Sequence, residues 1–508
     1  MFLYWWRAAP GLTWAFYGAD GGDLLAAAMV NGVPHPAGYP LYTLLLRGWL
    51  WIGSLVNSQS EPAFWGNRFS GLCVAGAVAF TVATTAEVLR HDARRWPRRW
   101  LWAALAGLAF AITPLAWSQA LITEVYGLHA LLIAAMGWAA LRQMHPERSF
   151  PLWLLGVLMG LGVAHHLTSL MLWPALFYWR LHPLPRRVWL RATVQMLAVA
   201  LGVAGCFYGG LVWRIATATA TPPVAWGYPR DMAGLWWLIS GAAYRDYVFG
   251  MTLSQYGGRL AGLARILVEQ FTPVGLALVI GGLAVWDRQR ASLRNGTILW
   301  AVPISLYAAG YNTVDSYIYL LPVAWLMSLA LGQGLASSNA WLSQRFPHGS
   351  RLIPTVMTTL VTTFALLALV VLVNWRLPQY DLRHDQEAQT FLNAAATTLE
   401  PGSLVISNAD ATTFALWYGQ WGSSFAGDGT LVQAVPDLVL VNYALYQFGW
   451  YRNLLHDLYP EVPKIDASIV ELIEANRGLR PIYLTEPLPE VAEREVTQTG
   501  IFWRMNTQ

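Results

Sequence analysis

The sequence predicts a mainly α-helical, polytopic membrane protein with a small α/β domain at its C-terminal end. Of its 508 residues, 56% are hydrophobic and only 12% are charged, and the mean hydropathy is +0.40. A soluble domain of this length could not cover its surface with so few polar side chains. The apolar segments end near Asn374, after which the composition becomes mixed. We therefore expect a membrane domain, 1–373, and an external domain, 374–508.

About eleven apolar segments are candidates for transmembrane helices. The N-terminal segment, 2–18, is marginal, because at 1.5 Å per residue it would span only about 25 Å of a hydrocarbon core about 30 Å thick. Because this segment is short, the sequence leaves open whether Met1 is the true start. The other ten candidates are 65–89, 100–117, 121–141, 150–164, 168–180, 192–213, 264–286, 297–310, 315–333 and 352–373.

The arginines of the connecting loops predict the topology, because cytoplasmic loops are enriched in basic residues. Basic loops alternate with loops that are nearly free of arginine. For this alternation to hold, segment 41–56 must lie on the outer face as an interfacial helix, with Arg47 reaching the lipid headgroups. The loops expected in the cytoplasm contain Arg90, Arg94, Arg95, Arg98, Arg99, Arg142, Arg148, Arg186, Arg187, Arg191, Arg288, Arg290, Arg294, Arg345 and Arg351.

The C-terminal part has the pattern of a small α/β domain. An amphipathic helix is predicted over Asp385–Leu399, followed by a buried strand that ends at Asn408, a further helix and the second strand DLVLVNY. Strands and helices that alternate at this spacing are typical of an α/β fold. Asp410 directly precedes the second helix and is interpreted as its N-cap rather than as a catalytic residue.

Charge and cysteine content exclude several classes of protein. The net charge of +4 comes from arginines in short loops, since Lys464 is the only lysine, and no basic patch is large enough to bind nucleic acid. A preference for arginine is typical of a GC-rich genome, so we expect a bacterial plasma membrane protein. Cys73 and Cys206 both lie in apolar segments, which favours neither a disulfide framework nor a metal site.

The stretch of the membrane domain that least resembles a plain apolar segment is 17–40, YGADGGDLLAAAMVNGVPHPAGYP, in the predicted first external loop, 17–64. Asp20 and Asp23 begin a short apolar helix, one near its N-cap and one in its first turn, where the helix dipole favours carboxylates. The prolines that follow form a rigid segment that orients His35 and Tyr39. A capped helix followed by a proline-rich turn is an equally acceptable interpretation of this stretch.

Other ionisable residues fall at the predicted outer ends of the spans. Ionisable groups in or near a bilayer are costly, which makes them candidates for function. Taken singly, each is more often a polar cap or a partner in an interhelical hydrogen bond, but their position on one face favours a shared site. They are Glu124, His129, His165, His166, Arg245 beside Tyr244, and Asp315.

The sequence lacks the motifs of nucleotide-dependent enzymes and of common hydrolases. It contains no GxxxxGK[ST], no GxGxxG after a strand, no HExxH, no GxSxG and no DxD motif. A substrate carried by a lipid, which enters from the bilayer, requires none of these motifs.

Several motifs resemble, in the same order, those of a family of polytopic membrane proteins. The most specific is DGGDLLAAAMVNGVPHPAGYPLY, which resembles the family pattern of two acids around a small pair, an apolar helix and HPPGYPLY. Ala37 replaces the second proline of that pattern. The resemblance continues through WSQALITEVYGLHALL, GLGVAHHLTSLMLWP, WGYP, GAAYRDY, DSYIYLLP, ISNADATTFALWYGQ and PDLVLVNYAL. It therefore covers essentially the whole chain.

This family resembles the GT-C class of glycosyltransferases, which use polyprenyl-phosphate sugars, and one branch is associated with protein O-mannosyl transfer. The resemblance implies an inverting transfer to a hydroxyl of a protein or glycan on the outer face, with Asp20 as general base and Asp23 in support. No cofactor is implied beyond the lipid-linked donor, and a role for a divalent metal is left open. The residues implied in substrate binding are His35, Tyr39, Glu124, Tyr126, His165, His166, Trp226, Tyr244, Arg245, Asp315 and Tyr317.

Two other classes of protein fit parts of the pattern. A transporter or lipid flippase would also concentrate polar groups, but along a path through the midplane of the membrane rather than at one face. A non-catalytic assembly protein would bind partners through its external domain and use the acidic loop only for helix capping. The sugar, the acceptor, the oligomeric state and the division of roles between Asp20 and Asp23 are not predicted by the sequence.

Overall fold

A computed structural model describes residues 1–92, 98–142, 151–345, 352–422 and 430–506. The N-terminal part is almost entirely helical, in agreement with the predicted class. Its helices are Phe2–Arg7 (α1), Gly21–Met29 (α2), Pro40–Val56 (α3), Pro62–Val88 (α4), Arg99–Ala111 (α5), Pro114–Ser118 (α6), Val125–Arg142 (α7), Leu152–His165 (α8), Trp173–Leu181 (α9), Arg186–Ala216 (α10), Met232–Ile239 (α11), Leu253–Gln270 (α12), Pro273–Gln289 (α13), Ala291–Gly310 (α14), Leu321–Arg345 (α15) and Leu352–Arg376 (α16).

Fewer helices than predicted meet the requirements for crossing a membrane. Among the described residues, five helical segments are long and apolar enough, and α12 and α13 provide a sixth if this pair, bent by 97°, forms one span. The prediction of about eleven spans is therefore not confirmed, although a multi-pass membrane protein is supported. The five segments are Pro62–Val88, Val125–Arg142, Arg186–Ala216, Ser316–Arg345 and Thr355–Tyr380.

Prolines explain where predicted spans are interrupted. Segment 2–18 is not one helix, because α1 ends at Arg7 before Pro10, and a 3₁₀ turn follows only at Ala15–Asp20. Segment 264–286 is interrupted because a new helix begins at Pro273, after the side chain of Thr272 caps it by accepting from the Gly275 amide. In both segments the apolar composition suggested a continuous helix that the backbone does not form.

Two contacts place the predicted basic loops and the C-terminal domain at opposite ends of α4. Near the end of this helix, Arg290 donates a hydrogen bond to the carbonyl of Val88. Near its start, the amide of Ala63 donates to the hydroxyl of Tyr418 at 3.3 Å. The helix has 27 residues, so these ends are about 40 Å apart. Arg94, Arg95, Arg148 and Arg351 lie outside the described residues, and the orientation in the membrane stays a prediction.

The helix α3 coincides with the predicted interfacial segment 41–56, and Arg47 is exposed on it. Its guanidinium donates to the carbonyls of Ala28 at 3.0 Å and Met29 at 3.2 Å. These carbonyls end α2, where the negative end of the helix dipole favours a cation. Arg47 therefore joins α3 to α2, and its contact with lipid headgroups stays a prediction.

The described C-terminal residues form a mixed sheet of Leu404–Ser407 (β1), Val439–Asn442 (β2), Ile482–Leu484 (β3), Val496–Thr499 (β4) and Phe502–Met505 (β5), in the order β2-β1-β3-β5-β4. β1 pairs in parallel with β2 and β3, whereas β5 runs antiparallel to β3 and β4. The sequence predicted only β1 and β2, which are buried and strongly apolar. The elements are Glu387–Thr398 (α17), Leu404–Ser407 (β1), Asp410–Trp417 (α18), Thr430–Ala434 (α19), Val439–Asn442 (β2), Tyr443–Tyr446 (α20), Gly449–Leu458 (α21), Ile469–Asn476 (α22), Ile482–Leu484 (β3), Val496–Thr499 (β4) and Phe502–Met505 (β5).

This C-terminal part packs directly on the first external loop. Glu61 accepts a hydrogen bond from Tyr418 at 3.0 Å, and Arg7 in α1, before this loop, forms an ion pair with Asp381. The closest approach is at Gly22, where an added Cβ would lie 2.3 Å from the carbonyl oxygen of Phe414. Only glycine allows α18 to lie this close to α2, which explains the glycine at position 22. The boundary at residue 373 stays a prediction.

Candidate active site

The two acids of the first external loop occupy different environments. Asp20 ends the 3₁₀ turn and is the N-cap residue of α2, but its side chain makes no capping hydrogen bond. Its side chain is 38% exposed, whereas that of Asp23, in the first turn of α2, is fully buried. Helix capping therefore does not account for the carboxylate of Asp20, which is left free for another role.

Asp23 holds His35 in place. One oxygen of Asp23 accepts hydrogen bonds from the backbone amide of His35 at 2.9 Å and from its Nδ1 at 2.7 Å. The other oxygen accepts from the indole Nε1 of Trp226 at 3.0 Å. Trp226 comes from the WGYP loop, which reaches this position because the amide of Trp226 donates to the carbonyl of Val33 at 3.0 Å. The buried carboxylate is thus surrounded by donors on both sides.

His35 in turn faces Asp20. Its Nε2 lies 3.5 Å from a carboxylate oxygen of Asp20. Burial alone would lower the pKa of His35, but the charges of Asp20 and Asp23 raise it to about 9. Burial raises the pKa of Asp20 to about 6, against the opposing effect of His35. At neutral pH, Asp20 is therefore mostly a carboxylate beside an imidazolium, with a pKa close to that of an efficient general base.

Asp20 lies in the wall of a cavity of about 460 Å³, named here the Asp20 cavity. The structure brings eight of the thirteen predicted site residues to this one cavity, although they come from distant parts of the sequence. They are Asp20, His35, Tyr39, Tyr126, His166, Tyr244, Arg245 and Asp315. Their roles stay predictions.

The other five predicted residues do not line the cavity. Asp23 and Trp226 lie behind His35, as described above. Glu124 is buried and accepts a hydrogen bond from the Val125 amide at 3.2 Å. His165 is also buried, with its Nε2 2.9 Å from the carbonyl of Val125. Tyr317 packs edge-on against the cavity residue Tyr17, with 6.1 Å between ring centroids.

Arg245 is the only arginine among the described residues that line the Asp20 cavity. It follows α11 in the 3₁₀ segment Ala242–Tyr247, and its Nη2 donates to Ser240 Oγ at 2.7 Å. The other arginines of segment 214–263, which includes Arg245, are engaged elsewhere. Arg214 donates to Asn31 and Gly32, Arg230 pairs with Asp457, and Arg259 donates to carbonyls that include that of Tyr311.

Sequence reasoning missed the contribution of Asp410. Its interpretation as an N-cap is wrong, because Ala409 is the N-cap residue of α18 and Asp410 is in the first turn. The side chain instead lines the Asp20 cavity. Burial raises the pKa of Asp410, and its charge contributes to the raised pKa of Asp20. The ISNAD motif could have suggested this role only if the packing of α18 on α2 had been known.

A group of tyrosines was also missed. Tyr307 and Tyr311 lie four residues apart in the chain, so they share one side of the helical backbone, and Tyr319 packs edge-on against both, at 4.9 and 5.7 Å between centroids. All three line the Asp20 cavity, as does Tyr247. The spacing of Tyr307 and Tyr311 was a signal in the sequence. The cavity wall thus combines aromatic surface with hydroxyl groups, which suits a polar ligand attached to a lipid.

Among the residues that the structure describes, no group of three His, Cys, Asp or Glu side chains has an arrangement that could hold a metal ion. Cys73 and Cys206 are both free.

Comparison with known sequences connects the first third of the chain with named enzymes. Residues 20–183 match the family described as the protein O-mannosyl-transferase TMEM260 N-terminal domain. The chain is 32% identical over 120 residues to the protein O-mannosyl-transferase TMEM260 of Mus musculus and 24% identical over 119 residues to its counterpart in Dictyostelium discoideum. The matched region is 23% of this chain but only 15% and 13% of those relatives.

Comparison with solved structures covers nearly the whole chain. The crystal structure of ArnT from Cupriavidus metallidurans in the apo state aligns with 99% of this chain and 96% of that chain, at a TM-score of 0.57 and 13% identity. The same enzyme bound to undecaprenyl phosphate gives a TM-score of 0.57 at 14% identity. At such identity the likeness shows the fold alone. Together with the family match, it confirms the predicted resemblance to GT-C-type membrane glycosyltransferases.

Proposed function

We propose that this multi-pass membrane protein is a GT-C-type glycosyltransferase that moves a sugar from a polyprenyl-phosphate donor to a hydroxyl acceptor on the outer face of the plasma membrane. The observation that carries this proposal is the Asp20 carboxylate. It faces the Asp20 cavity, makes no capping hydrogen bond and is paired with a histidine that Asp23 fixes in place. The matched family segment begins at this same residue.

In the proposed reaction, Asp20 is the general base. The acceptor hydroxyl attacks the anomeric carbon of the donor sugar, its proton passes to the carboxylate of Asp20, and the bond from the anomeric carbon to the phosphate oxygen breaks. The leaving group is the polyprenyl phosphate, and attack from the opposite side inverts the configuration. Asp23 acts through His35 as a positioning residue, since it does not line the cavity.

Charge develops on the departing phosphate, and Arg245 is proposed to neutralise it. A guanidinium binds phosphate oxygens in a fixed geometry, and such contacts are strong where water is excluded. The tyrosine hydroxyls of the cavity wall can donate further hydrogen bonds. His166 also lines the cavity. His165 is buried and does not line it, so no contact with the phosphate is proposed for His165.

The donor and the sugar are proposed by analogy with the relatives. The curated relatives are named protein O-mannosyl-transferases, and the enzyme of similar fold was crystallised with undecaprenyl phosphate. A polyprenyl-phosphate mannose and a protein or glycan hydroxyl are therefore the proposed donor and acceptor. The C-terminal domain, which packs on the first external loop, is proposed to present the acceptor.

The test is a transfer assay with the purified protein in lipid nanodiscs. Polyprenyl-phosphate mannose labelled in the sugar is supplied with an extract of external proteins and glycans from the host membrane. We expect label to appear in the acceptor fraction while unlabelled polyprenyl phosphate is released. Movement of the intact donor between the leaflets of proteoliposomes without transfer would indicate a flippase. The absence of both activities with polyprenyl-phosphate sugars would contradict the proposed function and favour an assembly protein.

A further inference from the structure

A second cleft, of about 590 Å³, lies where the WGYP loop meets the C-terminal domain. It is named here the Trp237 cleft. Gly227, Tyr228 and Trp237 line it from the membrane domain, and Trp450, Asn453 and Asp457 line it from the C-terminal domain. It shares no lining residue with the Asp20 cavity. The function proposed above leaves this cleft unexplained.

The amphipathic pattern of α21 explains how the C-terminal domain contributes to the cleft. Tyr451, Leu454 and Leu455 are buried in the domain. Trp450, Asn453 and Asp457 follow the spacing i, i+3 and i+7, which places them on one face of a helix. This face is polar except for the indole ring, so it is suited to a ligand that combines a small apolar surface with many polar groups.

Two tryptophans form the apolar part of the cleft. The rings of Trp237 and Trp450 have centroids 4.8 Å apart and planes inclined by 59°. Phe448 supports both rings, at 5.2 Å from Trp237 and 6.3 Å from Trp450. Indole rings held in this way offer rigid surface at little entropic cost. The C–H faces of a pyranose ring pack well on such surfaces.

The charges around the tryptophans disfavour an anionic ligand. Asp231, Asp457 and Asp466 line the cleft, whereas Arg230 is its only arginine among the described residues. Arg230 is already paired with Asp457 at 3.2 Å, and His456, which also lines the cleft, lies 3.7 Å from Asp466. Carboxylates and the amide of Asn453 accept hydrogen bonds from hydroxyl or amino groups. A phosphorylated donor would be repelled here, while a neutral or amino sugar would be accommodated.

We propose that the Trp237 cleft binds carbohydrate, as the site that holds the glycan part of the acceptor. Its role as an acceptor site rests on the glycosyltransferase function proposed above. A path of direct contacts joins it to the reaction centre, because the Trp450 ring lies 6.2 Å from that of Trp226. Trp226 in turn donates its indole hydrogen bond to Asp23 at 3.0 Å.

Binding can be measured without any transfer reaction. The full-length protein in nanodiscs is titrated with mannopentaose and with chitopentaose, and binding is followed by saturation-transfer NMR and calorimetry. We expect saturable binding of at least one oligosaccharide, and Trp237→Ala should weaken it roughly tenfold because an aromatic contact is lost. Asn453→Ala, at an exposed position, should also weaken binding and serves if Trp237→Ala does not fold.

The matched control is Trp236→Ala, which removes the neighbouring exposed indole on α11 that does not line the cleft. It should bind as the parent does. Asp20→Asn should bind the oligosaccharides as the parent does while it loses transfer activity. Failure of the proposed function and failure of the proposed glycan site are therefore distinguishable. Binding of neither oligosaccharide, or binding unchanged in both Trp237→Ala and Asn453→Ala, would overturn the proposal. If a Ser/Thr-rich peptide bound more tightly than both oligosaccharides, and Trp237→Ala weakened its binding, the carbohydrate assignment would be overturned.

Discussion

The acidic wall and the arginine wall of the Asp20 cavity are built in different ways. On the acidic wall, which Asp20 and His35 line, His35 is buried and held by two hydrogen bonds to Asp23, and Trp226 donates to Asp23 behind this wall. On the arginine wall, Arg245 is exposed in a short 3₁₀ segment, and the one hydrogen bond that its side chain makes to described residues is to Ser240. The side chains of the acidic wall are thus held by hydrogen bonds within the motif of residues 20–35, whereas the side chain of Arg245 has few contacts that restrain it.

This difference fits the different demands of the two halves of the proposed reaction. A general base must lie within hydrogen-bond reach of the proton that it accepts, so its orientation has to be set before the substrate arrives. A cation that binds a phosphate on a mobile lipid can adapt to its ligand, because guanidinium offers several donors. Substitutions on the acidic wall should therefore affect the rate, and those on the arginine wall should affect donor binding.

The largest effect is expected for Asp20→Asn. The amide is nearly isosteric with the carboxylate but cannot accept a proton, and loss of a positioned general base commonly reduces the rate on the order of 100- to 10,000-fold. Because Asp20 makes no capping hydrogen bond, thermal stability should stay close to that of the parent. The measurements are kcat in the transfer assay and the melting temperature. A folded variant with the parental rate would remove Asp20 from the role of base.

A smaller loss, of about 10- to 100-fold, is expected for Asp23→Asn, because His35 would lose its fixed orientation toward Asp20. The asparagine amide group would also face donors in a buried site, at a cost of about 1–3 kcal/mol in folding free energy. This variant should therefore lower both kcat and the melting temperature. A greater loss of rate than in Asp20→Asn would show that the two acids have the opposite roles.

For Arg245→Ala we expect the KM for the donor to rise about tenfold with a smaller change in kcat, because one charge-assisted hydrogen bond to the phosphate is lost. Arg245→Lys should restore part of the affinity. The control is Arg265→Ala, which removes a guanidinium that is exposed on α12 and paired with Glu269. Equal donor KM values for Arg245→Ala and the parent would place the phosphate elsewhere in the cavity.

The smallest effect is expected for Asp410→Asn. The negative charge of Asp410 helps to raise the pKa of Asp20, so its removal should lower that pKa. The acidic limb of the pH–rate profile should move to lower pH while the plateau stays unchanged. A large loss of kcat at the plateau would instead show that Asp410 contacts the reacting groups.

The acidic wall could be predicted from the sequence because its parts are close together in the chain. Asp20, Asp23 and His35 fall within sixteen residues of one motif, and the cap position and the prolines fixed their local geometry. The contribution of Trp226 to Asp23 depended on the contact between Val33 and the WGYP loop. Such long-range contacts leave no periodic signal, so Trp226 was identified only through its family motif and was assigned to the substrate.

The membrane helices show what composition alone could not determine. Apolar content predicted spans at 2–18 and 264–286. Pro10 and Pro273 interrupt the helical backbone in these segments, and an average of side-chain hydropathy does not measure that effect. The same limit applies to Asp410, because its place in the Asp20 cavity depends on how α18 packs against Gly22. The strand β3 was missed because it has only three residues, and β4 and β5 were missed because their four-residue segments mix polar and apolar residues.

The pH dependence of transfer tests most directly whether Asp20 accepts the proton. Asp20 can act as a base only when it has lost its own proton, so kcat/KM should rise as the pH increases through about 6, the pKa to which burial raises this carboxyl. It should fall again near pH 9, where His35 loses the proton that the neighbouring acids stabilise. Any residual activity of Asp20→Asn should lack the acidic limb. A parental profile that is flat or falling between about pH 5 and 7 would contradict the assignment of Asp20 as general base.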